Sequence, residues 1–500
     1  MALTLNDWGM GVAGGFRTVA LRYPDRPGII DELGTLTYAQ VHRRSNALAR
    51  AMRDRGIREG DAVAILCRNH RGFVDATLAA AKLGADTLYL NTAFAGPQLR
   101  AVLERERPAL VVYDAEFADL LADARIAQRV VAWSDEPTPG KVSEATLEAW
   151  MAGAVDDDLE APARHSRAVI LTSGTTGDPK GAARSEAGIG AAVSMLSRLP
   201  LREGWTTHIA APLFHTWGFA HLAFAMLLGS TVVLTRRFDP ETCLETVQDF
   251  ECQSLVVIPV MMQRILLLPA ARLSAYDLSR VRAVATSGSA LPGDLALRWM
   301  DRFGDTLYNV YGSTEVAYAS IATPTDLREA PNSAGRPPFG TVVRILGPDG
   351  FEVAQGRPGR IFVGNGLLFD GYTGGGGKEV VDGLMSTGDV GRFDAAGRLY
   401  VEGRDDEMIV SGGENVFPQE IEDCLARHPA VVEAAAIGVA DPDYGQRLRA
   451  FVVLSRPVPE SELRDWVRNH LAGFKVPRDF VFVQELPRNA TGKVLKRDLA

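Results

Sequence analysis

Cysteine is scarce in this sequence, four in 500 residues and none in C-x-x-C spacing. That excludes a disulfide scaffold and a structural zinc knot, and Cys67, Cys243, Cys252 and Cys424 read as reduced, mostly buried thiols. Long hydrophobic runs are missing as well. The cleanest, Leu255–Met262, has eight residues, where a membrane span needs about 18 or more. Positive charge is in deficit, 53 Lys+Arg against 62 Asp+Glu for a net charge of −9, which argues against a general nucleic-acid binder with its basic face. An anionic small ligand stays admissible, because a pocket needs only local positive charge and backbone N–H groups. The first basic residue is Arg17, so no basic stretch precedes an apolar leader, and a cytoplasmic location is expected.

The chain exceeds the ~250–300 residues at which one core stops growing, so several domains or subdomains are expected. At 46% hydrophobic and 23% charged, the composition is that of a soluble globular protein. From about Asp61 to Tyr311, short apolar runs alternate with amphipathic stretches of helical length. Ala62–Leu66, Leu110–Tyr113, Ala168–Leu171, Leu255–Ile258, Val281–Ala285 and Leu307–Val310 are such runs, and they predict βα units and mostly parallel sheets. Between Ile321 and Tyr400, strand-like pieces such as Val342–Leu346 and Arg360–Val363 sit among Gly/Pro turns, predicting a small antiparallel, barrel-like sheet. Beyond Gly403 an α+β pattern follows: helices at Pro418–Arg427 and Glu460–Leu471, strands at Val431–Val439, Leu448–Leu454 and Phe480–Val483. The expected class is α/β, with a body over 1–403 and a small mobile α+β cap over 404–500. One low-complexity spot, Gly374–Gly377, has no explanation at this level.

The strongest local signal is TSGTTGDPKG at Thr172–Gly181, directly after a buried-strand run. Its glycines allow a sharp turn, its hydroxyls and N–H groups can wrap an anion, and Lys180 adds charge. It is not a Walker A loop, since Asp178 and Pro179 separate the last glycine of the pattern from the lysine. Alone, such a loop is equally readable as a surface connection.

Other segments decide between the two. PLFHTWG (212–218), YGSTE (311–315), STGDVG (386–391), Gly403-Arg404, GENVFPQEIE (413–422) and PRNATGK (487–493) follow in order. With the loop, these resemble the motifs of the adenylate-forming superfamily of acyl-CoA synthetases, firefly-type luciferases and peptide-synthetase adenylation domains. The resemblance spans nearly the whole chain, and the look is closest to bacterial fatty-acid–CoA ligases.

That resemblance implies a set of roles. Thr172, Ser173, Gly174, Thr175, Thr176, Gly177 and Lys180 would embrace the β- and γ-phosphates of ATP. Thr314 would touch the α-phosphate and Glu315 would hold Mg²⁺ as a hard carboxylate. Tyr311 and Gly312 would face adenine on one side, with Gly288, Ser289 and Ala290 on the other. Asp389 would take the ribose hydroxyls and Arg404 the ribose–phosphate end. His215 resembles the gate between acyl pocket and pantetheine channel, a packed histidine being the other reading, and Trp217 and Phe219 would wall the acyl site. Ser411, Gly412, Gly413 and Glu414 would line the channel for coenzyme A, and Asp406 stands at the hinge. Lys493 would bridge the substrate carboxylate and the α-phosphate. Two departures, Asp406-Glu407 where the family commonly has Lys-Asp and Val410 where many members have lysine, bear on contacts to the phosphates of CoA.

The implied activity joins an apolar, fatty carboxylic acid to CoA with ATP-Mg²⁺, through an acyl-adenylate, releasing AMP and pyrophosphate. Alternatives are delivery to a carrier-protein pantetheine, an aryl acid as substrate, and a catalytically silent binder. The last is disfavoured by Lys493, Glu315 and Thr314 occurring together. The expected partners are the acid, ATP and CoA, with no nucleic acid or membrane span, in a monomer or homodimer.

Overall fold

The apolar runs become the inner strands of parallel sheets. The computed structural model describes residues 7–9, 11–135, 145–172, 180–184, 189–411, 414–441, 445–489 and 492–499. For Thr172, Ile189, Val410, Ser411, Glu414, Asn415 and Gly445 it describes the backbone alone. The chain divides into two units: Met1–Thr286 with Thr314–Ala317 and Asn365–Gly377, and Ser287–Ser313 with Tyr318–Gly364 and Lys378–Ala500.

In the first unit one sheet has the strand order Gly371–Tyr372, Lys180–Arg184, Ala168–Thr172, Asp86–Tyr89, Ala62–Leu66, Leu110–Asp114, Arg129–Trp133. The last five are parallel to one another, and the first two are antiparallel additions at one edge. Ala62–Leu66 and Leu110–Asp114 are almost wholly buried, as continuous Val/Ile/Leu runs in a parallel sheet should be. A second run of strands passes through Ala283–Thr286, Ser254–Val257, Thr206–Ile209, Thr231–Val233 and Pro27–Asp31, all parallel, to the antiparallel Gly34–Thr37. Ligands of open α/β sheets gather beyond the carboxyl ends of such strands. The 172–181 and 212–218 segments leave from those ends, of Ala168–Thr172 and Thr206–Ile209 respectively.

The residues that follow the expected phosphate loop form a strand and not a helix. Lys180–Arg184 pairs antiparallel with Ala168–Thr172, from Thr172↔Lys180 to Ala168↔Arg184. KGAAR is poor in the β-branched residues that announce a strand, so its strand character comes from its partners.

The second unit contains a five-stranded antiparallel sheet in the order Val342–Leu346, Gly359–Gly364, Leu384–Phe393, Val380–Val381, with Leu399–Arg404 also pairing with Leu384–Phe393. A further sheet joins Glu414–Val416, Ile409–Ser411, Gly445–Leu454 and Val431–Asp441, and Asp479–Phe482 adds to it in parallel. Helices Pro418–Ala426 and Glu460–His470 cover it, closing a core of Ile421, Leu425, Ala436, Val452, Leu463 and Val467. This small α+β domain has a hydrophobic core of its own.

Candidate functional site

Within the second unit, Asp389 and Arg404 stand directly opposite each other on paired strands. Cross-strand partners project from the same face, which places the Arg404 Nη1 3.4 Å from Asp389 Oδ1, while Arg404 Nε reaches Asp406 Oδ1 at 3.0 Å. From the end of strand Leu307–Tyr311, the Tyr311 hydroxyl donates to Asp389 Oδ2 at 2.5 Å. Burial raises the Asp389 carboxyl above its ordinary value, while the Tyr311 hydrogen bond and the charges of Arg404 and Lys493 pull it down. Burial, and then the Asp389 charge, push the Tyr311 phenol well up, so it stays a hydrogen-bond donor. Three other sequence-expected residues therefore act on one carboxylate.

The Lys493 main chain is tied to Asn489. Asn489 Oδ1 accepts from the Lys493 N–H and the Asn489 N–H donates to the Lys493 carbonyl, each at 2.9 Å. Arg488 binds the Gly492 carbonyl and pairs with Glu433 at 2.9 Å. The neighbours of Asp406, the residue expected at the hinge, are also engaged: Asp405 with Arg360 at 3.4 Å, and Glu407 with Lys496 at 3.3 Å. Gly288, Ser289, Ala290 and Gly312 lie in connections that follow strands Ala283–Thr286 and Leu307–Tyr311.

In the first unit, Glu315 is buried and its Oε1 accepts from the Tyr372 hydroxyl at 2.8 Å. The Lys180 ammonium lies 5.2 Å from the centre of the Tyr372 ring. Arg184 Nη2 donates to the Thr314 carbonyl at 2.6 Å. Tyr372 and Arg184 had no assignment from sequence. Their only signals were position: one beside the unexplained glycine run, the other at the end of the phosphate-loop strand.

His215 caps the amino end of helix Thr216–Leu227 and packs on Phe214, ring centres 4.6 Å apart. Burial pushes its imidazole down to about 3, and its Nε2 has no hydrogen-bond partner among the described residues. A neutral ring in an apolar setting suits a gate better than a proton carrier. Trp217 donates to the Val257 carbonyl at 3.0 Å and Phe219 packs on Tyr89 at 4.8 Å, so both are fixed by the sheets flanking this helix. Ser173, Gly174, Thr175, Thr176 and Gly177, expected to embrace phosphates, and Gly412 and Gly413, expected to line the channel, lie outside the described residues. The Thr172 backbone ends strand Ala168–Thr172, and Ser411 and Glu414 face each other as register partners in their hairpin.

The family model described as AMP-binding enzyme matches residues 16–373, and that of the AMP-binding enzyme C-terminal domain matches residues 420–493. Among curated proteins, a feruloyl-CoA synthase of Amycolatopsis sp is 34% identical, covering 93% of each chain. An indoleacetate–CoA ligase of Aromatoleum aromaticum is 32% identical over 96% of this chain and 94% of its own. Among solved structures, the anthranilate CoA ligase AuaEII with anthranoyl-AMP superposes with a TM-score of 0.88 at 26% identity, covering 98% of this chain and 96% of that one.

Proposed function

This chain belongs to the AMP-binding enzyme family and is an ATP-dependent acid–thiol ligase that makes acyl- or aryl-CoA through an adenylate, and from that premise we propose that its acid is an apolar, aromatic-ring carboxylate. The observation that carries the site assignment is the convergence of the Tyr311 hydroxyl and the Arg404 guanidinium on Asp389, the carboxylate matched to the ribose, with Lys493 near enough for its charge to act there too. An ammonium brought to the nucleotide end is what the first half-reaction needs. There a substrate carboxylate oxygen attacks the α-phosphorus, the bond to the β-phosphate oxygen breaks, and pyrophosphate leaves as negative charge builds on the phosphoryl oxygens. In the second half-reaction the CoA sulfur attacks the acyl carbon, AMP leaves with the bonding pair, and the thiol proton goes to solvent.

Glu315 would supply the hard carboxylate donor that Mg²⁺ selects, already held by the Tyr372 hydroxyl, while Thr314 would touch the α-phosphate. Held there with ATP, the ion would supply neutralisation of phosphate charge. The protein's own part is to hold the nucleotide by Asp389, Tyr311 and Arg404, to present Lys493, and to pack the acid against Trp217 and Phe219 behind His215. The aromatic acids named for the relatives support the ring-bearing substrate. The uncharged helix Thr216–Leu227 supports the fatty acid expected from sequence as the second reading. The same reading takes the body as 1–403 and the cap as 404–500, hinged at Asp406, in a cytoplasmic monomer or homodimer. Among the described residues no helix is long and apolar enough to cross a membrane.

The test is pyrophosphate release from ATP-Mg²⁺ over acids from acetate to palmitate, with benzoate, hydroxybenzoate, ferulate and indoleacetate, with and without CoA. Continuous release that needs CoA, fastest with an aryl acid, is expected. Fastest release with a fatty acid replaces the aryl reading by the second one. A single burst that CoA does not extend points to a carrier-protein acceptor. A second expectation concerns the nucleotide end. Tyr311→Phe deletes one hydrogen bond to a charged acceptor, worth about 1.5–3 kcal/mol, so the KM for ATP should rise about tenfold or more in steady-state titrations.

A further inference from the structure

Two observations about Tyr372 belong together. Its hydroxyl holds the Glu315 carboxylate, and its ring face lies under the Lys180 ammonium. The chain takes trouble to put it there. Gly371 and Tyr372 form a two-residue strand against Ala183 and Ala182. The Thr373 N–H donates to the Gly181 carbonyl at 2.8 Å, and its hydroxyl donates to Glu106 Oε1 at 2.6 Å. A Cβ on Gly181 would sit 2.7 Å from Thr373 Oγ1 and 2.8 Å from Val169 Cγ1, so only glycine admits this close approach. Just upstream, the Phe369 N–H donates to the Glu315 carbonyl at 2.8 Å, and the Phe369 and Tyr372 rings meet edge to face at 4.9 Å.

The glycine run left unexplained by the sequence completes the arrangement. The Gly375 N–H donates to the Tyr372 carbonyl at 2.9 Å, and the Tyr372 N–H donates to the Gly376 carbonyl at 3.2 Å. Gly375 and Gly376 have φ of +87° and +83°, where a side chain is strained. The run is thus the turn that closes the strap carrying Tyr372.

We propose that Tyr372 is a positioning residue for the ligase reaction, orienting the Glu315 carboxylate toward the magnesium ion of ATP-Mg²⁺ and holding Lys180 beside the same phosphates. This rests on the reading of Glu315 as the metal-holding carboxylate. A phenol hydroxyl donating to a ligand carboxylate is a typical outer partner of a metal, and loss of such partners costs about 10–100-fold in metal affinity.

Mn²⁺ gives a direct readout, since free Mn²⁺ is counted by its electron paramagnetic resonance signal. With ATP present, Tyr372→Phe is expected to weaken Mn²⁺ binding about tenfold, and Glu315→Gln at least as much. Tyr372→Phe keeps the ring under Lys180, so raising Mg²⁺ should restore most of its adenylation rate, a rescue that a merely unfolded variant would not show. If Glu315→Gln weakens Mn²⁺ binding and Tyr372→Phe does not, the inference about Tyr372 is overturned while the Glu315 reading survives. If neither variant changes Mn²⁺ binding, the Glu315 reading itself falls, and the inference with it. Loss of rate in Tyr372→Phe that no Mg²⁺ concentration repairs, with Mn²⁺ binding intact, also overturns it.

Discussion

Lys493→Ala should slow acyl-adenylate formation by about 10²–10³-fold, the usual cost of removing one preorganised donor to a developing oxyanion. Transfer from a preformed acyl-adenylate to CoA should stay within a few-fold of the parent. The deletion is clean because the loop presenting Lys493 is held by backbone and neighbouring side chains. Asn489 bonds the Lys493 main chain on both sides, and Arg488 ties the Gly492 carbonyl to Glu433. None of these contacts uses the ammonium. Lys493→Arg should recover little, since a planar fork replaces a compact charge on a flexible stem. Pyrophosphate release in a rapid-quench experiment reads the first half-reaction, and thioester formation from supplied acyl-adenylate reads the second. Equal loss in both would mean that Lys493 supports the cap's structure and not the phosphoryl chemistry.

The same loop shows what sequence can and cannot deliver. The motif PRNATGK marks the lysine, but nothing in it says that Glu433, 55 positions before Arg488, anchors the loop. Elements with strong local signals are read nearly to the residue: Ala62–Leu66 and Val342–Leu346 are strands at those bounds, and Pro418–Ala426 is a helix with proline in its first turn. Elements defined by their partners escape. Leu384–Phe393 is a ten-residue strand central to its sheet, yet Ser386–Asp389 interrupts its apolar pattern, so the sequence shows a motif there and no strand. Lys180–Arg184 escapes for the complementary reason, its small side chains carrying no β signal. Within the site, the informative pairs are distant in sequence. Tyr311 and Asp389 are 78 positions apart and Glu315 and Tyr372 are 57 apart. Motif order supplies a role for three of these four residues. The contact that gives Tyr372 a role exists only once the strap is folded.

Lys82 carries the second large expectation, one of stability. It ends helix Arg71–Lys82 and is 2% exposed, with its Nζ 2.7 Å from Ser45 Oγ, 2.6 Å from Asn46 Oδ1 and 3.1 Å from both His42 Nδ1 and the His42 carbonyl. Among the described residues no carboxylate is in direct contact. Asp158 lies beyond His42, bonded to its Nε2 at 2.7 Å and paired with Arg17, while Asp75 and Arg50 act from farther off. Burial therefore drives the Lys82 ammonium down to about 7, and burial with the Lys82 charge drives His42 down to about 4. The sign follows from proton counting. Below pH 7 folded and unfolded chains both hold the proton, and the folded state bears the full cost of a buried charge. Between pH 7 and the unfolded lysine's ~10.4 the unfolded chain holds more protons, so stability rises with pH. The span corresponds to roughly 3–5 kcal/mol at about 1.4 kcal/mol per unit. Lys82→Met removes the titrating group and leaves Ser45 and Asn46 short of a donor, so it should lower stability at pH 9 and abolish this part of the rise between pH 7 and pH 10. Urea midpoints of both proteins across that range measure the difference, and parallel curves would show that the buried amine keeps its proton throughout.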